Sequence, residues 1–212
     1  MTQRDEKKQR TEARIVETAG RCFSQHGFSG TNTLLVAHEA GVAHGTLFVH
    51  FATREALIAR VVDQFCTNLS DALHQEVQRG ADLRGLLQAH LVVLARFEGM
   101  YAAVLREGSL LPENVRAHII GIQSAFSLHL AEALEQEKTN ANIRELPMSL
   151  LGNTWIALVN YYVMNRDLFA PEGSVIAAKG PELLAYFMRL VLPPVESVAA
   201  VETEHGIVTT NS

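Results

Sequence analysis

The stretch Thr31-Asn32-Thr33-Leu34-Leu35-Val36-Ala37-His38-Glu39-Ala40-Gly41-Val42-Ala43-His44-Gly45-Thr46-Leu47-Phe48-Val49-His50-Phe51-Ala52-Thr53-Arg54-Glu55-Ala56-Leu57 contains two short helices and the start of a third. Residues 31–33 offer oxygen-bearing caps to a helix over residues 34–40. Gly41 supplies a permissive backbone for the turn that ends it. A second helix over residues 44–51 follows after two residues, and Thr53 caps a third, with Glu55 placed favourably in its first turn. Val36 and small Ala37 pack the first helix on its neighbours, while Val42 and Leu47 hold the second from inside. That leaves His44, Gly45, Thr46, Phe48, Val49 and His50 on or near the outer face. Two short helices joined this tightly form a helix-turn-helix, whose second helix enters the major groove by its N-terminal end.

Working outward, the rest reads as helix as well. Upstream, Ile15, Ala19, Cys22 and Phe23 mark one buried face of a helix over residues 4–26, stopped by Gly27. Downstream, Leu57, Ile58, Val61, Val62, Phe65, Leu69, Leu73 and Val77 hold one face to about residue 79, and Gly80 breaks it. Further helices are expected over 83–97, 99–108, 112–138, 147–165, 174–179 and 181–192, with a polar loop at 139–142, a turn at 170–173 and a stop at Pro193-Pro194. No strand alternation and no repeat is found. The fold class is all-α, with about nine helices: a three-helix DNA-binding domain over 1–54, a larger helical domain over 55–194, and a flexible tail over 195–212.

The 212 residues are 48% hydrophobic and 19% charged, which sets aside disordered and low-complexity classes. The longest apolar run, residues 150–164, is broken by Asn153, Thr154 and Asn160, so no membrane span is expected. The charged start, without an apolar core, is not a secretory signal, and Cys22 and Cys66 are too few for a disulfide framework or a structural zinc site. The expected compartment is the cytoplasm. Net charge is −5, but residues 1–54 carry seven basic and five acidic groups, a net +2, against −7 for the remainder. A mildly basic head on an acidic body fits a DNA-binding end attached to a domain that does not bind DNA. Lys7, Lys8 and Arg10 are either a solvated run or an arm that touches phosphate or the minor groove.

Residues 31–57, together with Phe23, Gly27 and Phe28 before them, resemble the DNA-binding region of the tetracycline-repressor (TetR) family. The resemblance covers about 50 residues; beyond them only length and helical layout match. It implies base reading by His44, Gly45 and Thr46, sugar-phosphate contact by Phe48 and His50, and phosphate contacts at helix starts by Asn32, Thr33, Thr53 and Arg54. The sequence departs from the family pattern at Phe48, where tyrosine is usual, at Ala43, where serine is common, and at Leu34, where arginine is frequent. Each departure removes a polar contact.

The resemblance further implies an inducer cavity among the middle helices and a twofold dimer. Candidate ligand-binding residues are Phe65, Phe97, Met100, Tyr101, Ile122, Phe126, His129, Trp155 and Asn160, with His90 and Gln123 as further polar groups. So few polar groups suit a small hydrophobic or aromatic ligand. His118 and His129 share a helix face but lie about 16 Å apart, too far to ligate one metal. The helices after Pro147 and Pro181 are apolar nearly all round, and Leu151, Leu158, Tyr162, Leu184, Phe187, Met188 and Val191 are candidate dimer contacts.

No nucleophile elbow, phosphate loop, HExxH or paired-cysteine spacing occurs, so no catalytic residue, metal or cofactor is expected. The reading is a ligand-responsive repressor that binds a palindromic DNA operator as a homodimer and is released by a small molecule, with no membrane partner. A helical small-molecule sensor with a degenerate helix-turn-helix, and an all-helical enzyme using pocket histidines, are the alternatives.

Overall fold

The computed structural model describes residues 2–78, 82–139 and 147–192. Among these it is all-α, with the order α1 (Gln3–His26), α2 (Thr33–Glu39), α3 (His44–His50), α4 (Arg54–Val77), α5 (Leu83–Glu107), a short 3-10 turn (Gly108–Leu110), α6 (Glu113–Thr139), α7 (Met148–Met164), α8 (Arg166–Phe169) and α9 (Val175–Val191). The expected tail, the Pro193-Pro194 stop, Gly80 and most of the 139–142 loop lie outside the described residues.

Local chemistry sets the helix starts. Thr2 and Asp5 cap α1 reciprocally, Asn32 Oδ1 accepts from Leu35 N at 2.9 Å, and Thr53 Oγ1 accepts from Ala56 N at 3.1 Å. Ala43 gives α3 no side-chain cap, as its departure from serine implies. Gly41 takes φ +62 in the turn between α2 and α3, the left-handed conformation that favours glycine. Asp5 and Glu6 in the first turn of α1 complement its dipole.

Two breaks expected from the sequence are absent. Residues 83–107 form one helix, not two, because Gly99 does not interrupt α5. It lets α5 approach α1: a Cβ there would come within 3.1 Å of both the side chain and the carbonyl oxygen of Ser24. Residues 175–191 are likewise one helix with Pro181 inside it. Proline removes one backbone bond, but Ile176, Leu183 and Leu184 are buried on either side of it and carry the helix through. The start of α9 is fixed by Glu98, a buried α5 carboxylate that accepts from Val175 N (3.0 Å), Ile176 N (3.1 Å) and the Ser174 hydroxyl. Three donors, two at a helix N-terminus, offset the desolvation of that charge.

α5 is the central element and packs on α1, α4, α6, α7 and α9. The head, α1–α3, has its own apolar centre at Ile15, Phe23, Val36 and Leu47, each 1% exposed or less. That centre continues through Leu57 of α4 into the core of the larger layer around Leu87, Leu94 and Leu130. Among the described residues no helix is long and apolar enough to cross a membrane.

Candidate nucleic-acid interface and ligand cavity

The outer surface of the head is built around α3. Its inward side chain, Leu47, is fully buried, which turns His44, Gly45, Phe48 and Val49 to the exterior, with Thr46 half-buried. Leu34 (62% exposed), Phe48 (42%) and Val49 (74%) are large apolar groups standing open on the same head. His44 Nε2 lies 3.1 Å from Thr33 Oγ1, and its ring meets Phe48 edge-on at 5.0 Å, so Thr33, His44 and Phe48 form one cluster that joins α2 to α3. A Cβ added at Gly45 would meet nothing within 4 Å, leaving open space at the N-terminal end of α3 for a duplex to approach.

Two of the expected phosphate contacts are placed otherwise. The His50 side chain is only 5% exposed; its Nδ1 is buried without a hydrogen bond, 3.8 Å from Glu12 Oε2, because α3 turns its last residue back against α1. Arg54 is half-buried, and its Nη2 donates to the carbonyl oxygens of Phe28 and Thr31, tying the start of α4 to the loop between α1 and α2. Asn32 and Thr53 remain exposed at helix starts while capping them. Lys7, Lys8 and Arg10 lie on the first turns of α1 and are exposed, in a helix rather than an extended arm.

Glu107, at the end of α5, reaches the head from the other side. Its carboxylate accepts from Phe28 N at 3.0 Å and Ser29 N at 2.7 Å. Partial burial works to raise its pKa, but the hydrogen bonds from Ser29 and Phe28 and the nearby Arg106 outweigh it and hold the carboxyl below its ordinary value. Two helices therefore enter the head at the same loop, α4 through Arg54 and α5 through Glu107.

The same two helices line a cavity in the larger layer. Phe65, Cys66, Leu69 and Leu73 come from α4; His90, Val93, Leu94 and Tyr101 from α5; Ile119, Ile122, Gln123 and Phe126 from α6; Ile156 from α7. Its free volume is about 40 Å³, enough for one or two waters and too little for a drug-sized ligand. Of the expected ligand residues, Phe65, Tyr101, Ile122 and Phe126 line it, as do His90 and Gln123. Trp155 and Asn160 stand one layer behind, Trp155 Nε1 donating to His90 Nδ1 at 3.1 Å and Asn160 Oδ1 accepting from the Tyr101 hydroxyl at 2.8 Å. Phe97 and Met100 face a separate groove between α1 and α4, and His129 is exposed beside Glu132. The aliphatic lining residues Leu69, Leu73, Val93, Leu94, Ile119 and Ile156 were not singled out, since ordinary core spacing hides them.

Burial raises the Tyr101 phenol's pKa against the opposing pull of Gln123 and Asn160. It pushes the Cys66 thiol up to about 11 and also raises that of Cys22, so both are protonated small hydrophobes. Among the described residues no group of His, Cys, Asp and Glu is placed to hold a metal ion.

The expected dimer contacts prove to belong mainly to the protomer's own core. Phe187 and Val191 are fully buried, Leu151, Leu184 and Met188 are buried, and Leu158 and Tyr162 are half-buried. Helices that are apolar all round give no clue to which face points inward, and here the inward faces of α7 and α9 pack on each other and on α5, with α7 also on α6. The outward stripe of α7 is Leu150, Asn153, Thr154, Ala157, Tyr161 and Met164, at helical spacing; beside it α9 exposes Pro181, Ala185 and Tyr186. Leu150 (60% exposed), Tyr161 (55%) and Tyr186 (55%) are its large apolar members.

Residues 15–61 match the family described as bacterial regulatory proteins, tetR family. The HTH-type transcriptional repressor Rv3405c of Mycobacterium tuberculosis is 30% identical over 86 residues, 38% of this chain and 46% of that protein. The chain thus spans about half the length of the curated relatives it matches. A transcriptional regulator from Saccharomonospora viridis, solved in complex with choline, shares the fold at a TM-score of 0.75 with 16% identity, covering 87% of this chain and 99% of that one. AibR, solved in complex with isovaleryl coenzyme A and operator DNA, has a TM-score of 0.70 with 19% identity, covering 87% of this chain and all of the other.

Proposed function

We infer that this chain, a member of the tetR family of bacterial regulatory proteins by residues 15–61 and by its fold, is a ligand-responsive transcriptional repressor rather than an enzyme, acting where the chromosome is, in the cytoplasm. Its DNA-binding domain is residues 1–54 and its ligand and dimer domain residues 55–194. The observation that carries the reading is the outer face of α3. A helix-turn-helix with a left-handed Gly41 presents His44, Gly45 and Thr46 at the N-terminal end of a helix that Leu47 anchors from inside. That is the geometry by which side chains meet base edges in the major groove. The naming of the mycobacterial relative as a repressor, and the joint presence of a small molecule and operator DNA on AibR, support it.

Dimerisation is assigned to the outward stripes of α7 and α9. A twofold pair sets two α3 helices one DNA turn, or a multiple of it, apart and so selects a palindrome. The ligand is small and largely apolar. With about 40 Å³ free, it enters only if α4, α5 and α6 move apart. Because α4 begins at the Arg54 tie and α5 ends at the Glu107 tie, such a displacement is passed to the loop before α2. A ligand that binds the parted state better shifts the population away from the DNA-competent spacing, and operator affinity falls by that differential affinity.

The test is duplex binding by the purified protein at low ionic strength, with its mass measured in the same buffer. A dimer that binds double-stranded oligonucleotides and weakens as salt rises is expected. A monomer that ignores every duplex ends the reading.

A further inference from the structure

The cavity contains one polar group whose hydrogen-bonding sense is fixed by chemistry. The His90 ring is 8% exposed and lines the wall, with Phe126 stacked on its face at 3.9 Å and 17°. The indole N–H of Trp155 can only donate, and it donates to His90 Nδ1 at 3.1 Å. Nδ1 therefore carries the lone pair, and in the neutral ring the proton sits on Nε2. The ring is neutral: burial pushes its pKa down to about 3, and no Asp or Glu lines the cavity. Among the described residues nothing accepts from Nε2. The Tyr101 hydroxyl is given to Asn160 and is met by the Gln123 side chain, so His90 Nε2–H is the ring donor left without an acceptor, with Gln123 as the other polar side chain of a mainly apolar wall.

We propose that the cavity takes an uncharged, mainly apolar ligand whose polar group is a hydrogen-bond acceptor, a ketone, ester or amide carbonyl, seated on His90 Nε2–H. The proposal rests on the reading of this cavity as the regulatory site. A carboxylate or an ammonium would lose its hydration with no opposite charge on the wall to replace it. A plain hydrocarbon would leave the His90 donor unmatched.

The experiment uses the full chain labelled with ¹⁵N. Long-range nitrogen–proton spectra at pH 7 are expected to give the Nε2-protonated pattern for His90, and Trp155→Phe is expected to release it into a mixture of tautomers. Cyclohexanone, methylcyclohexane and cyclohexanecarboxylate are then titrated as probes of similar size. Cyclohexanone is expected to bind about five- to tenfold tighter than methylcyclohexane, with the carboxylate weakest, and to be the probe that moves the His90 Nε2 resonance. His90→Phe is expected to erase the ketone's advantage; if that variant does not fold, the wild-type resonance decides. An imidazolium or an Nδ1-protonated ring at pH 7, equal affinity for ketone and hydrocarbon, or preference for the carboxylate overturns the proposal and leaves the cavity as a site. If none of the three probes enters, the regulatory reading of the cavity falls and the proposal falls with it.

Discussion

The carboxylate of Glu107 occupies the space that a Cβ on Gly27 would need: an added methyl would fall inside contact distance of Glu107 Oε1. Gly27 ends α1 with φ +75, and Glu107 ends α5 while accepting from the two backbone N–H groups that follow this glycine. The two residues fix where the larger layer grips the head, with a steric stop on one side and two charge-assisted hydrogen bonds on the other.

Gly27→Ala is therefore expected to destabilise the protein by about 2 kcal/mol or more, from backbone strain and from the collision. Glu107→Ala removes the collision but not the strain, so the alanine at 27 should be less harmful in that background. Urea unfolding of the four proteins in a double-mutant cycle measures the coupling. Additive effects would mean that the carboxylate does not press on the glycine.

Arg54→Ala is expected to act on stability rather than on DNA charge. Two carbonyl oxygens of the α1–α2 loop lose their donor, a change worth about 1–3 kcal/mol. The salt dependence of DNA binding should stay within error of wild type, because the guanidinium is turned into the loop. A slope lowered by about one would return Arg54 to the phosphate contact that its position in the sequence suggests.

The helix-turn-helix was legible because its signals are local: caps at Asn32 and Thr53, a left-handed glycine at 41, and one inward residue, Leu47, between outward ones. The inward contacts of His50 and Arg54 are not legible in the sequence because their partners, Glu12 and the carbonyls of Phe28 and Thr31, are 23 or more residues away. Gly99 and Pro181 look like breaks in any window of a dozen residues. They sit inside helices because Ser24 on α1 and the buried residues around Pro181 decide the matter in three dimensions. The cavity's polar residues stand out against apolar helices, whereas its aliphatic wall is indistinguishable from core. Burial, not composition, separates the outward stripe from the core face on α7 and α9.

Acid should reveal the buried histidine. In the unfolded chain His90 titrates at its ordinary 6.5, and in the folded protein at about 3. Between those values the unfolded state binds a proton that the folded state does not, so stability falls as pH drops below about 6.5 and the loss levels off near 3. The slope contributed by this one group approaches about 1.4 kcal/mol per pH unit. Unfolding free energies at pH 7, 6, 5 and 4, compared between wild type and His90→Gln, check it; parallel curves would show that His90 is protonated at no penalty.

Tyr161→Glu combined with Tyr186→Glu is expected to give a folded monomer, since both rings stand on the outward stripe. Phe187→Glu is expected to unfold the protomer instead, because that ring is fully buried against Trp155 at 5.3 Å. Sedimentation together with circular dichroism separates the outcomes. A dimer that survives the tyrosine pair would move the interface elsewhere.

The most direct measurement is selection from a random duplex pool by wild-type protein and by His44→Ala at one fixed ionic strength. The account predicts enrichment of a palindrome whose half-sites lie one helical turn, or a multiple of it, apart, with the variant shifting preference at the bases under the start of α3. No enriched sequence, or equal losses for His44→Ala on selected and random DNA, would contradict it.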